Sequence, residues 1–297
     1  MRIVVTGATG MIGMALIQEA INQGHEVCAI IRKNSKRKLI LDSFPELYVV
    51  EADMVDYNSL MLPGDYDWFF HLAWGKTTGE GRDDVYLQME NARFSIDAVL
   101  LAHRMGCSKF IGAGSQAEYG PVSVPLDPFT PTFPESGYGI AKLEAGLMAK
   151  LKCNQLGMSF NWVRILSVYG KNDNPNSLIS YLIQQFLLGI SPNLTPCEQI
   201  WDYINVQDVA RALLLIAEKG HNGRTYPLGS GIGRPLKEFV EDIQSIISPR
   251  VKVNFGTKEY YPHQPMFLVS DNEILNSDTG FTPIIPFKQG ILNILKE

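Results

Sequence analysis

The sequence predicts an α/β protein: a doubly wound parallel sheet with a smaller, mixed C-terminal lobe. Two observations carry this. Short apolar runs alternate with stretches of helical period through residues 1–170. The first run breaks into a glycine-rich turn that opens directly into a helix pattern, the strand–turn–helix order of a βαβ unit.

The elements follow in order. Arg2 to Val5 form the first strand, and Met11 to Asn22 repeat apolar residues at helical spacing until Gly24 stops them. HEVCAII (25–31), LYVVEAD (47–53), DWFFHLAW (67–74), KFIGAGS (109–115) and FNWVRIL (160–166) read as the second to sixth strands. Trp68 to Leu72 is apolar almost throughout, as for a strand covered by helices on both faces, and belongs at the sheet centre. Asp84 to Met105 and Tyr138 to Leu156 are the longest helical candidates, apolar on more than one face and so able to dock a second subunit. Beyond Gly170 come KNDNPNS, a helix from Leu178 to Leu188, the loop SPNLTPCEQ and pieces punctuated by Pro and Gly such as LGSGIGRP and YYPHQP. The expected division is residues 1–170, to which 200–220 return, and a substrate-binding lobe over 171–297.

Composition excludes several classes. A chain of 297 residues buries about three quarters of its extended surface. With 45% apolar and 19% charged residues it is neither disordered, fibrous nor membrane-embedded. Lys plus Arg number 26 against 31 Asp plus Glu, so the basic field that duplex nucleic acid recruits is missing. Cys28, Cys107, Cys153 and Cys197 are scattered without a C-x-x-C pair, which speaks against disulfides or a zinc knuckle and for a reduced, cytoplasmic setting. No apolar stretch approaches the roughly 20 residues that cross a bilayer, and MRIVVTGATG is not a signal peptide. His25, His103 and His221 lack metal-ligand spacing, and His71 lies inside an apolar strand as a core histidine would; no metal is expected.

TGATGMIG, Thr6 to Gly13, has glycines at three-then-three spacing between strand and helix. Gly7 permits the tight turn, Gly10 lets backbone approach a pyrophosphate, and Gly13 allows close helix packing, while the helix N-terminus offers N–H groups to the anion. A Rossmann-like dinucleotide site follows, with Gly7, Thr9, Gly10, Met11, Ile12 and Gly13 as its expected cofactor-binding residues. The second strand ends in Arg32, Lys33, Asn34 and Ser35, with no carboxylate to accept a ribose hydroxyl. Arg32 suits a 2′-phosphate, so NADP is expected, with NAD the alternative.

Tyr138 and Lys142 in YGIAK are four residues apart on a predicted helix and share a face. An ammonium there is expected to lower the phenol's pKa from its usual value near 10 and ready it for proton transfer. Ser115, ending the fifth strand, supplies a hydroxyl to hold the substrate oxygen. GAGSQ lacks the second glycine of a hydrolase elbow, which argues against acyl transfer.

With these pieces in place, the sequence resembles the extended short-chain dehydrogenase/reductase family, in its nucleotide-sugar epimerase, dehydratase and reductase branch. The likeness runs over nearly the whole chain: TGATGMIG, Asp53 in EADMVD, HLAW (71–74), GSQAEYG (114–120), YGIAK (138–142), RILSVYG (164–170) and WDYINVQDVARA (201–212). It implies that Tyr138 is the catalytic acid or base, Lys142 its electrostatic partner and ribose ligand, and Ser115 the substrate orienter. It further implies that Asp53 meets the adenine amino group, that Leu72 and Ala73 touch the cofactor, and that two long helices join a homodimer.

Dehydrating members carry an acid directly after the matching Ser or Thr. Gln116 and Ala117 stand there, with Glu118 one place further, so dehydration is disfavoured. The sequence departs from the family at Ser167, where many relatives have Asn, at Trp201, where they have Arg, and within YYPHQP, where Tyr261 or a neighbour replaces a late Arg. Arg234, Arg224, Lys171 and His263 are the basic residues that would compensate. Trp74, just past the fourth strand, Gln116 and Ser167 are the candidate substrate contacts. The expected activity is NADPH-dependent reduction of a keto group on a nucleotide-activated (6-deoxy)hexose, because a net reductase gains from selecting NADPH. A redox-neutral NAD-dependent epimerase and a non-catalytic NADP-sensing regulator are the alternatives.

Overall fold

In the computed structural model, which describes every residue except Pro63, Pro262, His263 and Glu297, the alternating apolar runs assemble into one parallel sheet. The first half runs β1 (Arg2–Thr6), α1 (Met11–Asn22), β2 (Glu26–Ile31), β3 (Tyr48–Glu51), β4 (Trp68–His71), α2 (Val85–Arg104), β5 (Lys109–Ser115), α3 (Gly137–Gln155) and β6 (Ser159–Ile165). There follow β7 (Ser167–Tyr169), α4 (Leu178–Leu187), β8 (Ile200–Trp201), β9 (Tyr203–Asn205), α5 (Val206–Lys219), β10 (Thr225–Leu228), β11 (Arg234–Pro235), α6 (Leu236–Ile247), β12 (Phe267–Leu268), α7 (Glu273–Thr279) and α8 (Phe287–Lys296).

The main sheet is ordered β10-β6-β5-β4-β1-β2-β3, with β4 in the middle. Strand alternation sends successive side chains to opposite faces: Ile3 and Val5 join the core under α1 and α5, and Val4 joins the core under α2 and α3. Both faces are therefore covered, which is why the strands could be nearly continuous apolar runs. The chain order reverses between β1 and β4, so a crevice opens at their C-terminal ends, the place where such sheets bind ligands.

One strand of this sheet was not foreseen. β10 reads TYPL, and its Pro227 has no N–H to give to a ladder, but β10 is an edge strand paired only with β6, where that loss is tolerated. The later chain builds small sheets, β11-β8-β12 and β7-β9, over a separate core that includes Leu182, Phe186, Phe239, Val240 and Ile291.

Candidate active site

The glycine turn ends β1 at the crevice. Gly7 has φ +68, and a Cβ there would lie 2.7 Å from the carbonyl carbon of Leu72 and 2.8 Å from the nitrogen of Ala73. A Cβ on Gly13 would strike the Gly7 oxygen at 2.4 Å, so only glycine lets α1 sit this close to the turn. Gly10 caps α1 without a side-chain hydrogen bond, which leaves the first N–H groups of the helix, those of Met11 and Ile12 among them, free of a side-chain lid. Thr9 lies half-buried beside them. This shape fits a pyrophosphate.

Thr6 pins the neighbouring strand end. Its hydroxyl accepts from the N–H groups of Leu72 and Ala73, each at 3.2 Å, and bonds Nδ1 of His71 at 2.9 Å. His71 also reaches the Ser95 hydroxyl at 3.2 Å, and burial pushes its pKa down to about 3, so it is a neutral core histidine. At the end of β2, Arg32 is exposed and pairs with no carboxylate among the described residues. Lys33, by contrast, is bound to Asp56 at 2.9 Å. The side chain of Asp53 takes part in a reciprocal cap with Asp56, so it is already partly engaged where the adenine was expected.

The three candidate catalytic residues lie together at the crevice. Ser115 closes β5, and its hydroxyl stands near enough to the Tyr138 phenol to favour the ionised form. Ser136 caps α3 by accepting from Gly139 at 3.1 Å, which fixes the first helical turn and Tyr138 within it. Lys142, one turn along, donates to the Ala113 carbonyl at 2.6 Å and sits 3.8 Å from the centre of the Trp74 ring. Trp74 also meets Tyr138 edge-on at 6.0 Å and donates its indole N–H to Gln88 at 2.9 Å. It is thus part of the wall that holds the phenol and the amine.

One expectation is corrected. The phenol's pKa is raised rather than lowered, because burial outweighs the neighbouring amine of Lys142. Its Nζ is 5.9 Å from the Tyr138 ring centre and turned toward Ala113 and Trp74, and burial pushes its own pKa down to about 7, weakening its charge. Burial raises the Tyr138 pKa; the nearby Ser115 hydroxyl and the cation of Arg82 pull against it, and Glu118 adds to it. Arg82, which sequence reasoning missed, lies over the Tyr138 ring, its guanidinium carbon 4.8 Å from the centre. Its only signal was its place in GKTTGEGRDD, the loop beyond the fourth strand.

Glu118 faces inward. Its carboxylate accepts from the Ser115 N–H at 2.8 Å, from the Trp162 indole at 2.9 Å and from Arg164 at 2.7 Å, and none of the residue's surface is exposed. It braces Ser115 from behind. Gln116 is half-buried in the turn between them. Two departures from the family pattern meet each other: the Trp201 indole donates to the Ser167 hydroxyl at 2.8 Å. Among the proposed compensating cations, Arg224 is bound to Asp278 at 2.8 Å and Arg234 to Asp242 at 2.9 Å. Lys171 lines a groove of about 520 Å³ with Met11, Met14 and Arg211. Tyr261 is exposed, and His263 falls outside the described residues.

Comparison with known proteins accords with this geometry. A UDP-glucose 4-epimerase of Corynebacterium glutamicum is 23% identical over 95% of this chain and 91% of that protein. A dTDP-6-deoxy-L-talose 4-dehydrogenase (NAD(+)) of Aggregatibacter actinomycetemcomitans is 24% identical over 88% of this chain and 97% of its own. The solved UDP-N-acetylglucosamine 4-epimerase of Methanobrevibacter ruminantium superposes with a TM-score of 0.87 at 24% identity, covering 99% of this chain and 97% of that one. The model of the NAD dependent epimerase/dehydratase family matches residues 3–229. With a parallel seven-stranded sheet, a glycine cradle at its switch point and that match over most of its length, the chain belongs to the NAD dependent epimerase/dehydratase family and has the extended short-chain dehydrogenase/reductase fold.

Proposed function

We propose that this protein reduces a keto group on a nucleotide-activated (6-deoxy)hexose at the expense of NADPH. The observation that carries the chemistry is the Tyr138 phenol set beside the Ser115 hydroxyl at the crevice next to the glycine turn, with Lys142 one helical turn along. Gly7, Thr9, Gly10, Met11, Ile12 and Gly13 would hold the dinucleotide's phosphates, with Asp53, Leu72 and Ala73 along its length. The bound nicotinamide supplies the hydride. Tyr138 donates its proton to the oxygen that becomes an alkoxide, Ser115 holds the same oxygen, and Lys142 offers N–H donors to the ribose. Trp74, Gln116 and Ser167 flank the sugar. Arg32, exposed and without a carboxylate partner among the described residues, supports NADPH through its fit to a 2′-phosphate. Dehydration lacks its acid, since Glu118 is fully engaged behind Ser115.

A second reading, redox-neutral epimerisation with NAD, is favoured by the epimerases among the relatives that match nearly end to end. Two measurements separate them. The nucleotide extracted from purified protein is identified, and NADPH consumption is followed with UDP-, dTDP-, CDP- and GDP-4-keto-hexoses. Reduction predicts turnover that falls about 10²- to 10⁴-fold in Tyr138→Phe, and a preference for NADPH that Arg32→Ser removes. Tightly retained NAD with no NADPH consumption would establish the epimerase instead.

The division into a cofactor-binding part (1–170 with 200–220) and a substrate lobe (171–297), and a homodimer through α2 and α3, belong to the same proposal. Tyr86, Met89, Leu147 and Leu151 are large exposed apolar side chains on those two helices, which favours a second copy packed there. Light scattering should give twice the chain mass, and Leu147→Glu with Leu151→Glu should halve it; a monomeric wild type refutes the dimer.

A further inference from the structure

Trp74 lies just past β4, and its ring is held from behind. The indole N–H donates to the Gln88 carboxamide at 2.9 Å, and Gln88 in turn donates to the carbonyls of Lys76 at 3.1 Å and Gly81 at 2.8 Å. Asn91, further along α2, accepts from the Gly75 N–H at 2.9 Å and donates to the Gly75 carbonyl at 3.0 Å, which fixes the backbone beside the tryptophan. Gln88 and Asn91 are almost fully buried, so their bonds to this loop meet little competition from water. The ring fixed in this way turns a face to Lys142, whose Nζ lies 3.8 Å from its centre. Two further rings stand at the edge of reach, those of Tyr138 and Trp162, each at 5.9 Å.

Lys142 needs such company. It is almost fully buried, so water hardly solvates its ammonium, and it donates to a neutral group, the Ala113 carbonyl at 2.6 Å. The titratable groups that face it meet that need only in part. Glu118, from the turn after β5, favours the charge, but its oxygens are bound to Ser115, Trp162 and Arg164. His71 of β4 is neutral, and Tyr138 of the same helix offers only the distant face of its ring. An indole face is the best aromatic partner for a cation, and its attraction is greatest where water is excluded. We propose that the Trp74 face takes the place of water around the Lys142 ammonium, and so keeps it charged beside the Tyr138 phenol. Trp74 is then a positioning residue that acts through Lys142. The proposal deepens the reading above, since its bearing on catalysis rests on Tyr138 transferring the proton with Lys142 as its electrostatic partner.

The test reads the amine itself. Trp74 alone is replaced by increasingly fluorinated tryptophans, which drain the ring face of electron density while keeping its shape and its N–H. The ¹³Cε resonance of Lys142, assigned by its loss in Lys142→Met, is followed against pH in the full chain without substrate. The midpoint should fall stepwise with fluorine content, by about one pH unit for the fully fluorinated ring, a roughly tenfold loss of ammonium at fixed pH. Trp74→Leu, which keeps an apolar wall and removes the face, should lower it at least as far. A midpoint that stays level or rises along the fluorinated series overturns the proposal, because a ring that merely packs against Lys142 would not register the change. A wild-type midpoint in Trp74→Leu also overturns it. Since no substrate enters this titration, a protein that shows the fluorine dependence but reduces no nucleotide sugar would sink the proposed activity and leave this inference standing. A level series in an active reductase would do the opposite.

Discussion

Lys142 sits in surroundings far from its chemistry in water. Only 4% of it is exposed, and burial pushes its pKa down to about 7, partly offset by the charge of Glu118. An unfolded chain would hold the proton up to about 10.4. Between these values the unfolded state binds more protons than the folded one, so this group makes stability rise with pH, by up to about 1.4 kcal/mol per pH unit. Below pH 7 both states carry the charge and the burial penalty is fully present. Denaturant unfolding of wild type and Lys142→Met should therefore show the wild type gaining on the variant between pH 7 and pH 9, and a difference independent of pH would refute the shifted amine. That Tyr138 and Lys142 share one face of a helix was legible from their spacing. The direction in which Nζ points was not, because it depends on the Ala113 carbonyl of β5 and the Trp74 face in the loop after β4, both far away in sequence. Arg82 was hidden for the same reason: a loop arginine reads as solvated until the carboxamides of Gln88 and Asn91 are seen to hold its loop.

At the scale of elements, β5, β6 and α3 meet around one side chain. Trp162 of β6 lies in a trough of glycines: a Cβ on Gly112 would be 2.2 Å from its ring, on Gly114 2.3 Å, and on Gly146 of α3 2.8 Å. The indole then reaches Glu118 and so supports Ser115 from below. Gly112→Ala should cost about 2 kcal/mol or more by overpacking. In a Trp162→Leu background the same substitution should cost much less, giving a coupling energy of about 1 kcal/mol or more in a double-mutant cycle; strict additivity would show that the trough does not confine the ring. KFIGAGS was correctly read as a strand, but its glycines carried no visible purpose, since the tryptophan they accommodate comes about 50 residues later. Helix limits were easier. Asp84, Ser136 and Ser177 accept from the third N–H of α2, α3 and α4, and the predicted spans agree with the observed ones to about a residue. Strands of two or three residues, such as β8, β11 and β12, fall below what alternation can reveal.

For the molecule as a whole, the attachment of the later chain to the sheet depends on two buried carboxylates in the stretch WDYINVQDVARA. Asp202 accepts from the N–H and hydroxyl of Ser230 at 2.7 and 2.6 Å, from the Gly231 N–H at 3.0 Å, and from the N–H and hydroxyl of Ser270 at 3.1 and 3.0 Å. Asp208 accepts from the N–H groups of Ile284 and Ile285 at 3.1 and 3.0 Å and pairs with Arg211 at 2.7 Å. Neither side chain touches water. The resemblance flagged this stretch without its purpose, because the partners are backbone N–H groups of loops far along the chain, which no side-chain pattern encodes. Each aspartate satisfies donors that would otherwise be buried without partners, so replacing an acceptor oxygen by an amide turns attraction into an unsatisfied group. Asp202→Asn should lower stability by about 3 kcal/mol and speed hydrogen exchange at Gly231 and Ser270 while Ile284 and Ile285 stay protected. Asp208→Asn should do the reverse. If both variants released the same four amides together, the two carboxylates would be parts of one cooperative unit rather than separate staples, and the later chain would have a single point of attachment to the sheet.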